Sequence, residues 1–225
     1  MNYVFQFGLV WDHIPRLLLG AWLTLRLSLG AFAIGLVLAI TCAALRRFAP
    51  RPVRAGVIAY VEVIRNTPLL IQLFVLYFSL PVTGLRLDAN EAALAGLAIN
   101  FGGYATEIIR SGVDAVPRGQ IEAGRALGLS GMRIFRHIIL FQAMRTAWPS
   151  LASQFVLLLL GSSIVSAISA EELTAITNTL QSTTFRAFEF YFVAAGMYLA
   201  MAVGCRFLLD GMFWLIFLRG RPVAR

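Results

Sequence analysis

The chain has 225 residues, 59% hydrophobic and only 13% charged, with a mean hydropathy of +0.79. A soluble domain of this length is about 45–50% apolar and about 25% charged, so too little polar surface remains for water and the composition marks an integral membrane protein. The net charge of +8 does not point to nucleic acid: the basic residues, all arginine, lie in short connectors between apolar stretches, where they set membrane topology.

The N-terminal stretch has no basic residue before Arg16 and no small-residue cleavage pattern, so it does not read as a cleavable signal. Tyr3, Phe5, Phe7 and Trp11 suit a segment lying in the bilayer interface. Five apolar segments reach spanning length: roughly 20–45, 56–80, 90–109, 147–169 and 188–217. Arg26 in the first is read as snorkelling toward the interface. The second is interrupted by Glu62, Arg65, Asn66 and Pro68, and the last carries Arg206 and Asp210 four apart on one face. Cys42 and Cys205 fall inside spans, far apart and without a histidine cluster, so neither a disulfide nor a metal site is expected.

Arginine counts orient the spans. Arg46, Arg47, Arg51 and Arg54 follow span one; Arg110, Arg118, Arg125, Arg133, Arg136 and Arg145 follow span three; Arg219, Arg221 and Arg225 end the chain. The opposite face has Arg16, Arg86 and Arg186 against Asp12, Asp88, Glu91, Glu171, Glu172 and Glu189. The expected fold is therefore a single all-α transmembrane domain over residues 1–225, with five membrane helices, the N-terminus outside, the C-terminus cytoplasmic, and a cytoplasmic loop at 110–146.

That loop is too long and too helical to be a mere connector. Pro117 suits a first helical turn, and Arg118 to Leu127 favour helix, with Glu122 placed to pair locally with Arg118 and Arg125. Gly128 is a natural stop and Ser130 a natural start for a second helix. The loop spacing resembles the EAA motif of permease subunits of bacterial ABC importers: Glu122-Ala123-Gly124, three residues, Gly128, nine residues, Ile138, one residue, Leu140. Gly124 replaces the second alanine, which should weaken the helix by about 1 kcal/mol. Phe141 replaces the motif's proline, so a helix break is expected nearer Pro149.

The likeness extends along nearly the whole chain. Arg65-Asn66-Thr67-Pro68-Leu69-Leu70-Ile71-Gln72, the run from Asn100 through Tyr104 and Glu107 to Arg110, the stretch from Gln154 through Ser162 and Ser163 to Ser166, and Glu172-Leu173-Thr174 are similar to permeases of the polar amino-acid uptake family. Many members carry Lys-Asp where this chain has Leu160-Gly161. The resemblance implies a non-catalytic subunit with no cofactor of its own. Its partners would be two cytoplasmic ATP-binding subunits holding ATP and Mg, a second permease (identical or paralogous) and an extracytoplasmic solute-binding protein, all serving an amino-acid substrate in the bacterial inner membrane. It also implies that Arg118, Glu122, Ala123, Gly124, Leu127 and Gly128 dock on the ATPase. The chain lacks a phosphate-binding loop of the G-x-x-x-x-G-K-[ST] type.

An ionisable residue deep in a bilayer costs about 2.5–3.5 kcal/mol on insertion scales and so faces protein or water, and Pro68 frees the carbonyl of Ile64. Glu62, Arg65, Asn66, Thr67, Pro68, Gln72, Asn100, Tyr104 and Glu107 are accordingly candidates for the translocation path, and the resemblance adds Gln154, Ser162 and Ser163. A structural ion pair between Glu62 and Arg65 is the competing reading of the interruption. The rival function is a secondary transporter or channel driven by an ion gradient, though such proteins pair broken helices in matching repeats and only one broken span is visible. An intramembrane enzyme is hard to build with His13 and His137 as the only histidines, both outside mid-span.

Overall fold

The computed structural model describes residues 4–218; Tyr3, Arg219, Arg221 and Arg225 lie outside them. The described residues form helices without strands: α1 (Gly8–Asp12), α2 (Ile14–Phe48), α3 (Arg51–Arg65), α4 (Leu69–Thr83), α5 (Ala89–Asp114), α6 (Arg118–Ala126), α7 (Gly131–Ile168), α8 (Leu173–Thr184) and α9 (Ala187–Phe217). Of these, α2, α5, α7 and α9 are long and apolar enough to cross a membrane. The second predicted span is the pair α3 and α4, bent by 110° at the break, and makes a fifth crossing only if the two halves count as one.

α5 is the central helix, packed against α2, α3, α4 and α7. Its partner face on α2 is a stripe of small residues, Ser28, Ala31, Gly35, Ala39 and Ala43, recurring every three or four positions and buried throughout, while Gly20 and Thr24 nearer the start of α2 meet the beginning of α8 at Glu172 and Leu173. Lipid is as apolar as leucine, so membrane helices associate through close packing, and small residues permit it. At the other contact of α5, a Cβ on Gly112 would lie 2.4 Å from the Ala143 carbonyl oxygen of α7. The α5 N-terminus is closed by a capping box: the Asp88 carboxylate accepts the Glu91 N–H at 2.8 Å, and Glu91 accepts the Asp88 N–H at 2.9 Å.

α7 runs without interruption through Phe141 and Pro149 into its last turns at Ser162–Ile168. The break expected near Pro149 is absent. The proline removes one backbone bond, but Ala147, Trp148, Leu151 and Ala152 around it are buried, and the Trp148 indole N–H donates to the Leu209 carbonyl of α9 at 3.0 Å. Arg206 and Asp210 do pair, at 3.1 Å, and Arg206 also donates to the Ser153 hydroxyl at 3.0 Å, tying α9 to α7. The aromatic N-terminal segment packs on the start of α9, with Phe5 5.1 Å from Phe188 and the Gln6 N–H bonded to Glu189 at 3.0 Å.

Candidate functional site

The break between α3 and α4 exposes the carbonyls that end α3, and each receives a side-chain donor. Glu62 accepts from Asn66 through its backbone N–H at 3.1 Å and its amide at 2.8 Å. Val63 accepts from the Thr67 hydroxyl at 2.8 Å, Ile64 from the Gln72 amide at 2.9 Å, and Arg65 from the Tyr104 hydroxyl at 3.4 Å. Gln72 also donates to the Thr67 carbonyl and hydroxyl, at 3.1 and 2.9 Å, while its oxygen accepts from Asn100 at 3.0 Å. The side chains of Asn66, Thr67, Gln72 and Tyr104 thus satisfy the carbonyls that end α3, at a break whose residues are exposed or half-buried. Pro68 does free the Ile64 carbonyl, and Gln72 captures it.

Beside the break lies a cavity of about 250 Å³, lined by Leu69, Leu97, Asn100, Phe101, Tyr104, Gln154, Leu157, Leu158 and Gly161. Two helices, α5 and α7, thus bring together three of the predicted path residues, Asn100, Tyr104 and Gln154, with Leu69 of α4 completing the wall. No side chain in this lining is charged. Gly161, at the departure from the Lys-Asp pattern, forms part of the wall. Arg65 does not pair with Glu62; its guanidinium sits over the Tyr104 ring, 5.7 Å from the centroid, and the Glu62 carboxylate accepts from Asn66 at 3.2 Å. Glu107 lies elsewhere, bonded to Arg46 and, at 2.9 Å, to Arg110. The Ser162 and Ser163 hydroxyls donate to carbonyls of their own helix at 2.7 and 2.8 Å.

The loop between α5 and α7 folds into a knob. Pro117 takes the N-cap position of α6 rather than a place inside its first turn. At the far end Gly128 has a φ of +74°; its N–H donates to the Arg125 carbonyl at 2.9 Å, and Leu129 donates to the Gly124 carbonyl at 3.1 Å. These two bonds are a Schellman stop, which favours glycine at the left-handed position. Ile121 and Gly124 face the body while Arg118, Glu122, Ala123, Arg125 and Leu127 are exposed, Leu127 by 79%. A Cβ on Gly124 would lie 2.8 Å from the Ile138 Cδ1 atom, so this glycine lets α6 lie close on α7, a role beyond its weak helix propensity. The expected pairing of Glu122 with Arg118 or Arg125 is not made: they are oriented outward without meeting, and no ion pair among the described residues includes Glu122. Gln120 and Gln142 are hydrogen-bonded, adding a polar link from knob to α7.

Sequence reasoning treated Glu172 as an outer-face charge. It is completely buried at the N-cap of α8. One carboxylate oxygen accepts the Ala175 N–H at 2.8 Å, and the other accepts the Tyr198 and Thr24 hydroxyls at 2.5 and 3.4 Å. Burial pushes its carboxyl above the usual carboxylate range, against these hydrogen bonds. Little in the sequence signalled this role, since glutamate is not among the favoured N-cap residues and threonine is a weak helix former.

Comparison with known proteins agrees with this architecture. Residues 31–213 match the family described as binding-protein-dependent transport system inner membrane component. The chain is 34% identical over 207 residues to the glutamine transport system permease protein GlnP of Escherichia coli (strain K12), covering 91% of this chain and 94% of that one. It is 37% identical over 206 residues to the octopine transport system permease protein OccM of Rhizobium meliloti, covering 85% and 82%. A crystal structure of an amino acid ABC transporter with histidines superposes with a TM-score of 0.85 at 34% identity, over 94% of this chain and 99% of that one. The MetNI methionine ABC transporter, at 20% identity and a TM-score of 0.78 over 91% and 98%, shares the fold. A family match over most of the chain and relatives above 30% identity lead to one conclusion: this chain belongs to the binding-protein-dependent transport system inner membrane components.

Proposed function

We propose that this chain is the membrane-spanning subunit of an ATP-driven importer of amino acids. The observation that carries the reading is the knob: α6 is held against α7 by Ile121 and Gly124 while Glu122, Arg118, Arg125 and Leu127 face outward. A rigid, outward-facing helix of this kind suits docking into a cleft on a cytoplasmic ATP-binding subunit. Two such subunits, a second permease and an extracytoplasmic solute-binding protein complete the assembly, and ATP and Mg belong to the ATP-binding subunits. In this reading α3 and α4 form one broken crossing, giving five, with the N-terminus outside and the knob and C-terminus in the cytoplasm. That orientation is supported by the arginines at 46–54 and 110–145. The whole chain acts as one transmembrane domain.

The substrate path in this proposal passes the break at Asn66–Gln72, with the cavity at Asn100, Tyr104 and Gln154 as the contact point. Relatives named for glutamine and octopine transport and the uncharged lining favour a polar amino acid. Reconstitution with ATP-binding subunits and a loaded binding protein tests the assignment. ATP hydrolysis stimulated by the loaded binding protein is expected in the wild type and lost in Glu122→Lys; normal coupling in that variant removes the knob from the mechanism. Uptake that survives ATP depletion and collapses with an ionophore would replace the importer reading with a gradient-driven one.

A further inference from the structure

At the knob end of the bundle, where α2 turns into α3 and α5 ends, lies a second cleft of about 370 Å³ with a different chemistry. Arg46, Arg47, Arg54, Arg110 and Asp114 line it, with little apolar wall. Two of the arginines are fixed: Arg46 by Glu107, and Arg110 by Glu107 at 2.9 Å and Asp114 at 2.6 Å. Arg47 and Arg54 make no ion pair among the described residues. The four guanidinium groups therefore exceed the two carboxylates by two positive charges.

The backbone adds an independent indication. Helix N-termini favour negative charge and side-chain acceptors. The first turn of α3 has neither: Pro50 at the N-cap offers no side-chain acceptor, and no acid stands in that turn. Arg51 and Arg54 occupy it instead. A positive helix end, two unpaired arginines and a cleft between them call for an anion, and arginine forks match phosphate oxygens.

The level of the cleft selects the source of that anion. Arg46 and Arg47 are the last-turn residues of α2, just past its apolar run, where a membrane helix leaves hydrocarbon and meets lipid headgroups. Leu45, Phe48 and Val53, 37%, 42% and 43% exposed, leave apolar surface on the same hairpin for acyl chains. We propose that this cleft binds the phosphate headgroup of an anionic phospholipid, held by Arg47 and Arg54 and framed by the Arg46–Glu107–Arg110 ion network. The assignment does not depend on what the protein transports.

The full chain in neutral detergent is titrated with dioleoyl-phosphatidylglycerol and, separately, dioleoyl-phosphatidylcholine, and retained lipid is counted by native mass spectrometry. The wild type is expected to retain the anionic lipid preferentially. Arg47→Gln with Arg54→Gln is expected to weaken that retention about 25-fold, from roughly fivefold per basic residue near an anionic surface. The equally charged control, Arg133→Gln with Arg136→Gln, is expected to leave it unchanged. The wild-type preference is read without any variant, so a misfolded variant leaves the test standing. Equal retention of both lipids by the wild type overturns the proposal, as does an equal loss in the control. Displacement of the anionic lipid by millimolar inorganic phosphate would reassign the cleft to a soluble anion, and displacement by an ATP-binding subunit would reassign it to a protein interface; either also overturns it.

Discussion

The Gln72 amide donates to the Ile64 carbonyl at 2.9 Å across the helix break, and this bond joins the two halves of the second apolar segment. Pro68 cannot supply an N–H to that carbonyl, so the side chain of Gln72 takes the place of the missing backbone donor. Asn100 on α5 then holds Gln72 in position.

Replacing Gln72 by leucine keeps the volume and removes the donor. The loss of a satisfied carbonyl predicts about 1–3 kcal/mol of destabilisation, read as a lowered thermal midpoint in detergent. Gln72→Glu, which cannot donate when ionised, should fall as well, whereas Asn100→Ala should fall less. A Gln72→Leu variant as stable as the wild type would detach the bond from the stability of the break.

Two glycines separate packing that can yield from packing that cannot. A Cβ on Gly112 would meet a backbone carbonyl of α7 at 2.4 Å, whereas one on Gly124 would meet the mobile end of Ile138 at 2.8 Å. Gly112→Ala should therefore force α5 and α7 apart at a cost of about 1–3 kcal/mol. Gly124→Ala should be nearly neutral, since a helix propensity gain of about 1 kcal/mol offsets the shift of Ile138. Thermal unfolding of the two variants side by side checks the order, and equal losses would refute it.

At Gly128 a Cβ would meet nothing within 4 Å, yet φ is +74°. Any cost of Gly128→Ala is then one of backbone conformation, about 1–2 kcal/mol, with Gly128→Asn milder. Hydrogen exchange at the Gly128 and Leu129 amides, which close the α6 stop, should accelerate in the alanine variant. Unchanged protection there would mean that the turn does not depend on its glycine.

Glu172 gives the pH dependence its sign. Its carboxyl is raised in the fold above its ordinary value near 4.5, so the folded chain keeps a proton that the unfolded chain releases. The linked stability is fully present below that ordinary value and is lost as pH rises through the raised one. Subtracting the profile of Glu172→Gln from that of the wild type should isolate a contribution that declines with pH from about 4.5 upward. A difference that grows with pH would show the carboxylate to be stabilised by the hydroxyls of Tyr198 and Thr24 more than burial opposes it.

Much of this protein was legible before any coordinates. Composition and apolar run length determined a helical membrane protein, because a bilayer requires every backbone group of a crossing segment to be satisfied internally. Local rules placed the stop at Gly128 and the break at Pro68, since both follow from the backbone freedom of one residue. What only the tertiary structure decided was the pairing of side chains distant in sequence. Spacing offered Glu62 to Arg65 and Glu122 to Arg118, yet Arg65 lies over Tyr104 and Glu122 stays outward. Glu172, read as a surface charge, is enclosed by Thr24 and Tyr198 from two other helices. Sequence spacing limits which groups can meet; the packing of α2 and α7 on α5, through small residues with no chemical signature of their own, selects those that do.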